Sequence, residues 1–404
     1  MVAVFDTARV ITFASLLLPI GDSFSNATIA RTRKNLLDVA KASWELGTAA
    51  QALTEVYTPD LSVFSASAFP PPDRLNSSWT PVDVLAIVNN TIKDKPANSK
   101  PLFANQGSAA DPASLGAAVL LANWTRADKK SNSLSKAASD QLHYLLDDTP
   151  RSRSGAISHR ANEPQLWSDF MYMVPPFLAY YGALQRDRKI LQVAYDQSKL
   201  YRDGLRDAPG LWRHIDLGSY QDKTHWATGA STSLPDGQYT YPTIHRPTGN
   251  AWAAAGMLRV LATFNHSSFG GELREHQQNL TSWIDEIVVA SWSHQSTNGS
   301  LRNVIDNPKT FTDTSSTALM AAVTYRLATI THDFKSIPAA NRALELIKKS
   351  VNADGWLEGT VDPLTFHSPS PKGKYSPEGQ AFVLLLHAGW KAFADLVRSG
   401  TLRV

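Results

Sequence analysis

The spacing of apolar residues is the feature that most constrains how this chain can fold. Apolar side chains recur every three or four positions over most of the 404 residues, and alternating β-branched runs are few. A period of three to four is that of an amphipathic helix, whereas a half-buried strand has a period of two. The pattern predicts an all-α protein with eleven or twelve helices, over residues 34–57, 80–93, 111–125, 134–147, 165–184, 187–203, 250–264, 270–291, 314–330, 337–350 and 377–398.

Local signals support several of these helices. Asp111-Pro112 and Ser376-Pro377 each fit an N-cap residue followed by proline at the first helical position. The stretch GNAWAAAG, residues 249–256, is rich in Ala and Gly. Small residues of this kind favour a helix that another helix approaches closely.

The connections between the helices are long, polar and rich in Gly or Pro, especially over residues 58–79, 94–110 and 205–249. Helix pairs joined in this way favour a ring of α-helical hairpins over a bundle with short loops. At one end of such a ring the connections can line a cleft, and here they carry many Trp, His, Asp and Arg residues. We therefore expect one domain over residues 26–404, with its site formed by loops.

Composition excludes several classes of function. The chain is 43% hydrophobic with a formal charge of only +3, and its basic residues are dispersed, so we expect no nucleic-acid partner. The absence of cysteine excludes disulfides and thiolate metal sites. No H-x-x-x-H or H-E-x-x-H pair occurs, which disfavours a zinc hydrolase, and we expect neither a metal nor a cofactor. Oligomeric state has no signal in the sequence.

The first 25 residues are interpreted as a signal peptide or N-terminal extension. The run VITFASLLLPI, residues 10–20, has signal-peptide length and is too short to span a bilayer. Asp6 within the n-region and the lack of an A-x-A site leave a buried first helix as the alternative. Seven N-x-S/T triplets also favour a secreted glycoprotein; they begin at Asn26, Asn76, Asn89, Asn123, Asn265, Asn279 and Asn298.

The segment QLWSDFMYMVPPFLA, residues 165–179, places the carboxylate of Asp169 among aromatic and apolar neighbours on a predicted helix. A carboxyl group removed from water without a partner holds its proton at a raised pKa, which is the state that a general acid needs. The alternative is an Asp that caps a helix or pairs with an Arg or Lys.

Two further segments combine polar groups. GLWRHID, residues 210–216, brings Arg213 and His214 together in a loop, where they favour a carboxylate or sugar site, although a lone His is often structural. DTSSTA, residues 313–318, is typical of an N-cap cluster at the start of a helix, with Asp313 as the cap.

Together these segments resemble one family, the unsaturated rhamnogalacturonyl hydrolases of glycoside hydrolase family 105, with the related unsaturated glucuronyl hydrolases of family 88. The stretch around Asp169 resembles the family's Trp-x-Asp catalytic segment. GLWRHID resembles its Gly-Leu-(Trp/Tyr)-x-His segment, and DTSSTA resembles its (Glu/Asp)-Thr-Ser-Gly-Thr-Ala turn. SPEGQAFVLLL near the C-terminus also fits. The matches run in order from about Asn35 to Leu396.

The resemblance implies a six-hairpin (α/α)6 barrel that removes an unsaturated uronic acid from the non-reducing end of lyase-generated pectic or related oligosaccharides. Asp169 would protonate C4 of the C4=C5 double bond and activate the water that adds at C5, with Asp111 as the second acidic residue. The implied partner is thus an oligosaccharide. Implied substrate contacts, some weaker than others, are Trp167, His214, Trp226, Asn250, Trp252, Arg213, His159 and Trp44.

One departure from the family pattern affects this site. The pattern Trp-x-Arg-Gly-Asn-Gly-Trp is interrupted between Gly229 and Asn250, and deleting residues 230–249 restores HWATGNAWAAAG. A retained intron or similar gene-model error is one explanation, and a genuine lid loop is the other. Thr228 also replaces the family's usual Arg, for which Arg213 and Arg246 are the available substitutes.

Two other functions remain open at this point. An ordinary inverting glycosidase on saturated substrates would use a second carboxylate as its base, for which Asp111, Asp216 and Asp313 are available. A non-catalytic sugar-binding relative is the second alternative, favoured by the interrupted segment.

Overall fold

The computed structural model describes residues 23–76, 80–208, 210–219, 221–224, 249–362 and 368–399. These residues form twelve α-helices: α1 (Asn26–Val39), α2 (Ser43–Tyr57), α3 (Val82–Asp94), α4 (Gly116–Thr125), α5 (Ser133–His143), α6 (Phe170–Gln185), α7 (Arg188–Leu205), α8 (Asn250–His266), α9 (Arg274–Ser293), α10 (Thr314–Thr331), α11 (Ile337–Ser350) and α12 (Pro377–Arg398). Short 3₁₀ helices cover Pro59–Leu61 and Asp111–Leu115, and a single π turn covers Tyr144–Asp148.

Inner and outer helices alternate along the chain. The even-numbered helices pack side by side in a closed ring, in which α12 contacts both α10 and α2, and the 3₁₀ helix before α4 contacts α2 and α6. The odd-numbered helices lie outside this ring. The chain therefore folds as the expected (α/α)6 barrel of six hairpins.

Burial follows this division. Helix α10 is buried from Thr314 to Ala328, whereas the outer helix α7 buries a single stripe that includes Leu191, Ala194 and Tyr201. An inner helix is surrounded by protein, whereas an outer helix has one face in water and buries only the other. The core thus lies inside the ring and between its two layers.

Several boundaries differ from those expected. The helix predicted over residues 34–57 is wrong, because the chain breaks between Val39 and Ser43 into α1 and α2. At this break the Glu45 carboxylate accepts hydrogen bonds from the amides of Lys41 (2.7 Å) and Ala42 (2.8 Å), which satisfies N–H groups at the start of α2.

Two pairs of short antiparallel strands replace predicted helix or loop at the ends of connections. Helix α6 begins at Phe170 and not at residue 165, because β1 (Leu166–Trp167) pairs with β2 (Ile215–Asp216). Likewise β3 (Leu301–Arg302) pairs with β4 (Thr312–Asp313) just before α10. These pairings tie loops to the beginnings of inner helices.

The close helix packing expected around residues 249–256 is confirmed at Gly256. A Cβ atom at this position would lie 1.9 Å from the carbonyl oxygen of Met171 on α6, far inside van der Waals contact. That carbonyl lacks its usual helical partner because residue 175 is a proline with no N–H. Only glycine allows α8 to approach α6 this closely.

Three observations concern the residues on which the predicted secretion depends. The seven sequon asparagines are all exposed or half-exposed. None of the helices in the described ranges combines the length and apolar character that crossing a membrane requires. Most of the predicted leader, residues 1–22, lies outside the described residues.

Candidate active site

Asp169 lies immediately before α6, buried at 3% exposure. Its side chain makes no capping hydrogen bond, and its Oδ1 has no hydrogen-bond partner among the described residues. The capping alternative for Asp169 is therefore wrong. Burial, and next the charge of Asp111, raise the pKa of Asp169 well above its ordinary value, despite opposing hydrogen bonds that include one from Ser168.

Asp111 is the first residue of the 3₁₀ helix that leads into α4, so its expected position as N-cap is wrong. Ala110 occupies the cap position, and Ser108 Oγ accepts the hydrogen bond from the Asp111 amide (3.0 Å). Asp111 is 5% exposed, and its Oδ1 lies 3.7 Å from His159 Nε2. Asp111 is therefore a second buried acid close to Asp169, with His159 beside it.

Trp167 lies between two histidines. His159 stacks on the Trp167 ring, with centroids 4.8 Å apart and planes 8° apart, and His214 meets the ring in a T-shaped contact at 5.3 Å. The indole Nε1 donates to Gln165 Oε1 (2.7 Å), which fixes the ring plane. Trp167 is only 5% exposed. In this arrangement it spaces and orients the two histidines.

His214 is fully buried and held by an acid that the sequence did not single out. Its Nδ1 lies 3.1 Å from Asp222 Oδ2, while its Nε2 has no partner among the described residues. Burial lowers the pKa of His214 more than Asp222 raises it. For Asp222, burial acts to raise the pKa, but hydrogen bonds from His214 and Thr224 hold it well below its ordinary value. Asp222 is thus ionised, and a neutral His214 carries its proton on Nδ1.

Asn250, the first residue of α8, holds the loop that carries His214. Its Oδ1 accepts from the Trp212 amide (2.7 Å) and its Nδ2 donates to the Trp212 carbonyl (3.1 Å). The Ser168 amide in turn donates to the His214 carbonyl (3.0 Å). The starts of α6 and α8 therefore fix the backbone on both sides of His214.

The remaining predicted residues are distributed around this centre. Trp252 is fully buried, with ring centroids 4.2 Å from Tyr172 and 5.0 Å from Phe382. The Arg213 side chain bonds to Asp207 and to the Gly204 carbonyl. Sugar contacts by Trp252 and Arg213 stay predictions. Trp226, Thr228, Arg246 and the interruption up to residue 248 lie outside the described residues.

Trp44 belongs to a second acidic group at the same end of the ring. Its Nε1 donates to Glu378 Oε1 (2.6 Å) at the start of α12, and Ser376 Oγ donates to Glu378 Oε2 (2.9 Å). Burial and the neighbouring Glu45 raise the pKa of Glu378 to about 8. The sequence analysis identified the Ser376-Pro377 cap but not this carboxyl group. The available signal was an acidic residue in the first turn of a helix that is apolar from Ala381 onward.

Asp313 and Asp216, which were available as the base of an inverting glycosidase, lie in a helix cap and a strand. Asp313 caps α10 as expected, accepting from the amides of Ser315, Ser316 and Val361. Asp216 is half-buried in β2, opposite Leu166. No three His, Asp or Glu side chains within the described ranges could together hold a metal ion.

Comparisons with known proteins agree with this fold. Residues 83–390 match the family model for Glycosyl Hydrolase Family 88, whereas no curated protein sequence matches the chain. A crystal structure from Klebsiella pneumoniae, described as a possible member of the GH105 family, superposes with a TM-score of 0.69 at 14% identity over 99% of both chains.

Two further solved structures share the fold. One from Salmonella enterica, also described as a possible GH105 member, has a TM-score of 0.67 at 16% identity, covering 95% of this chain and 96% of that one. Unsaturated glucuronyl hydrolase from Bacillus sp. GL1 has a TM-score of 0.59 at 16% identity, covering 93% and 96%. The family match spans most of the ring and includes Asp111, Asp169 and Asp222. The chain therefore belongs to glycosyl hydrolase family 88 and is a glycoside hydrolase.

Proposed function

We propose that this enzyme removes an unsaturated uronic acid from the non-reducing end of lyase-generated pectic or related oligosaccharides. The observation that carries the proposal is Asp169: a buried carboxyl group with a raised pKa, an unpartnered oxygen and no capping role. A carboxyl group that keeps its proton near neutral pH can donate it to carbon, as protonation of a C4=C5 vinyl ether requires.

In the proposed reaction Asp169 transfers its proton to C4, and water adds to the cation that develops at C5. The water's proton passes to the Asp169 carboxylate, which restores the acid. The resulting hemiketal opens to a ketone, and the sugar released at C1 is the second product. Asp111 acts by raising the proton affinity of Asp169, and His214 Nε2, fixed by Asp222, accepts a hydrogen bond from the substrate or the water.

The surroundings suit an anionic substrate. Helices α6 and α8 begin at this centre, and the positive ends of helix dipoles favour a carboxylate. Arg160, which sequence reasoning missed, places its guanidinium carbon 5.9 Å from the Trp167 ring centroid.

The test follows the ultraviolet absorbance of the C4=C5 bond in lyase-digested rhamnogalacturonan. We expect wild-type enzyme to consume it and Asp169→Asn to lose at least about a thousandfold in kcat while melting normally. Asp196→Asn, an exposed position on the outer helix α7, is the matched control and should be fully active. Activity of Asp169→Asn would refute the proposed acid.

The same assay separates the alternatives. Turnover of saturated glycosides without loss of double-bond absorbance would indicate an ordinary inverting enzyme. Binding without any turnover would indicate a sugar-binding relative. A form lacking residues 230–249 should be compared in parallel, since we attribute this interruption to a gene-model error; transcript reads covering these codons would contradict that attribution.

A further inference from the structure

Arg259 is a buried cation without an anionic partner. It lies on the inner helix α8 at 7% exposure, and no carboxylate of the described residues forms a salt bridge with it. Its Nη1 donates to the carbonyl of Tyr172 (3.2 Å). That carbonyl is available because Pro176, four residues on, has no N–H to offer it. The guanidinium carbon also lies 5.0 Å from the centroid of the Tyr172 ring, but neither a carbonyl dipole nor an aromatic face carries the negative charge that would neutralise it.

The nearest acid cannot supply the missing charge. Glu55 on α2 attracts Arg259 from a distance, but its Oε2 pairs with Arg326 Nη2 (2.9 Å) and its Oε1 accepts from Gln51 (2.8 Å). The group therefore contains two guanidinium groups and one carboxylate. Its net charge is one positive unit inside the ring, where an unbalanced charge is costly.

A cavity of about 50 Å³ adjoins Arg259 between the inner helices. It is lined by Arg259 and Glu55 and by polar side chains that include Thr54, Ser114 and Tyr180. A water molecule needs about 10–15 Å³ of such volume, so the space holds about three to five waters, or one small ion with a water.

Tyr180 supplies an independent sign of a ligand. Its side chain is 3% exposed and lines the cavity, and its hydroxyl has no hydrogen-bond partner among the described residues. Burial raises the pKa of Tyr180, so the hydroxyl keeps its proton and can donate it. A guanidinium and an O–H donor around one small space are the groups that bind an anion.

We propose that this cavity binds a small monovalent anion, of which chloride is the commonest in solution. Arg259 would supply the charge and Tyr180 a hydrogen bond. A phosphate dianion would bring more charge than the single uncompensated guanidinium balances, and a sugar carboxylate would bring more volume than the roughly 50 Å³ cavity holds. The site lies within the ring and is distinct from the Asp169 centre, so it concerns the stability of the barrel.

The direct test uses bromide as the probe. Crystals of the full-length enzyme grown or soaked in sodium bromide should show an anomalous peak inside the cavity, next to the Arg259 guanidinium. This measurement uses the wild-type protein and does not depend on the folding of any variant. A cavity without an anomalous peak would overturn the proposal.

The solution test compares melting temperatures in sodium chloride, bromide and gluconate at matched ionic strength, up to about 200 mM. Halides should raise Tm saturably by about 2 °C over gluconate, as expected for a ligand that binds only the folded state. Arg259→Met should lose this difference, and Arg33→Met, which removes a guanidinium already paired with Asp83, should keep it. Equal halide responses in both variants would contradict the assignment, and so would equal Tm values of the wild type in halide and gluconate.

Discussion

Replacing Asp222 by Asn tests how the site controls the proton on His214. In the native loop Asp222 Oδ1 accepts from the Thr224 amide (2.9 Å) and hydroxyl, and Oδ2 faces His214 Nδ1 at 3.1 Å. An Asn side chain has only one oxygen. Because the Thr224 amide can only donate, that oxygen must remain on the Thr224 side, which places the NH₂ group against His214 Nδ1.

This geometry reverses the tautomer of His214. An NH₂ donor at Nδ1 requires the proton on Nε2, so the atom that faced the site as an acceptor becomes a donor. Turning the amide to avoid this would oppose two donors at the Thr224 amide, at a cost of about 1–3 kcal/mol. Only about one molecule in 5 to one in 150 would then keep the native tautomer, since about 1.4 kcal/mol is a factor of ten.

We therefore expect Asp222→Asn to lower kcat/KM by about 10- to 100-fold with little change in Tm. The assay is loss of double-bond absorbance, and ¹⁵N chemical shifts of His214 report the tautomer directly. Thr224→Val is a useful comparison, because it removes the hydroxyl and keeps the amide that orients residue 222. An Asp222→Asn enzyme within threefold of wild type, or one with an unchanged tautomer, would refute this reasoning.

Three further predictions follow from single contacts. Since Asp169 must be protonated to act, activity should fall as pH rises through its raised pKa, and Asp111→Asn should move this alkaline limb of the kcat/KM profile to lower pH. Gly256→Ala should lower the free energy of unfolding by about 1–3 kcal/mol in urea titrations, whereas Gly271→Ala, whose Cβ would meet no atom within 4 Å, should not destabilise the protein. Burial raises the pKa of Glu378 to about 8, so wild-type stability should decline as pH rises from about 4.3 through 8, and Glu378→Gln should flatten this decline in Tm measurements.

Helices with a regular apolar period were well predicted from the sequence. The bounds of α11 and α12 match the expected residues 337–350 and 377–398. The break between α1 and α2 was not predictable from periodicity, because small and apolar residues continue across it. It depends on Glu45, whose carboxylate bonds to backbone amides three and four residues earlier.

The residues of the site that lie in distinctive local segments were predictable from the sequence, whereas those brought in by the folding of loops or by ring closure were not. Asp169 and His214 lie in segments whose residues already signal their environment. Asp222 does not, since its pairing with His214 depends on how an irregular loop turns between them. Glu378 meets Trp44 only when the ring closes, and that contact leaves no local pattern in the sequence.

Closure of the ring also sets the order of events during synthesis. The hydrogen bond between Trp44 and Glu378 joins residues 334 positions apart, so at about 5–20 residues per second the ribosome needs about 20–70 s to make the second partner after the first. During that interval the face of α2 that α12 will cover is bare and apolar. A nascent chain of this enzyme therefore cannot close its ring until α12, the last inner helix of the described residues, has been synthesised.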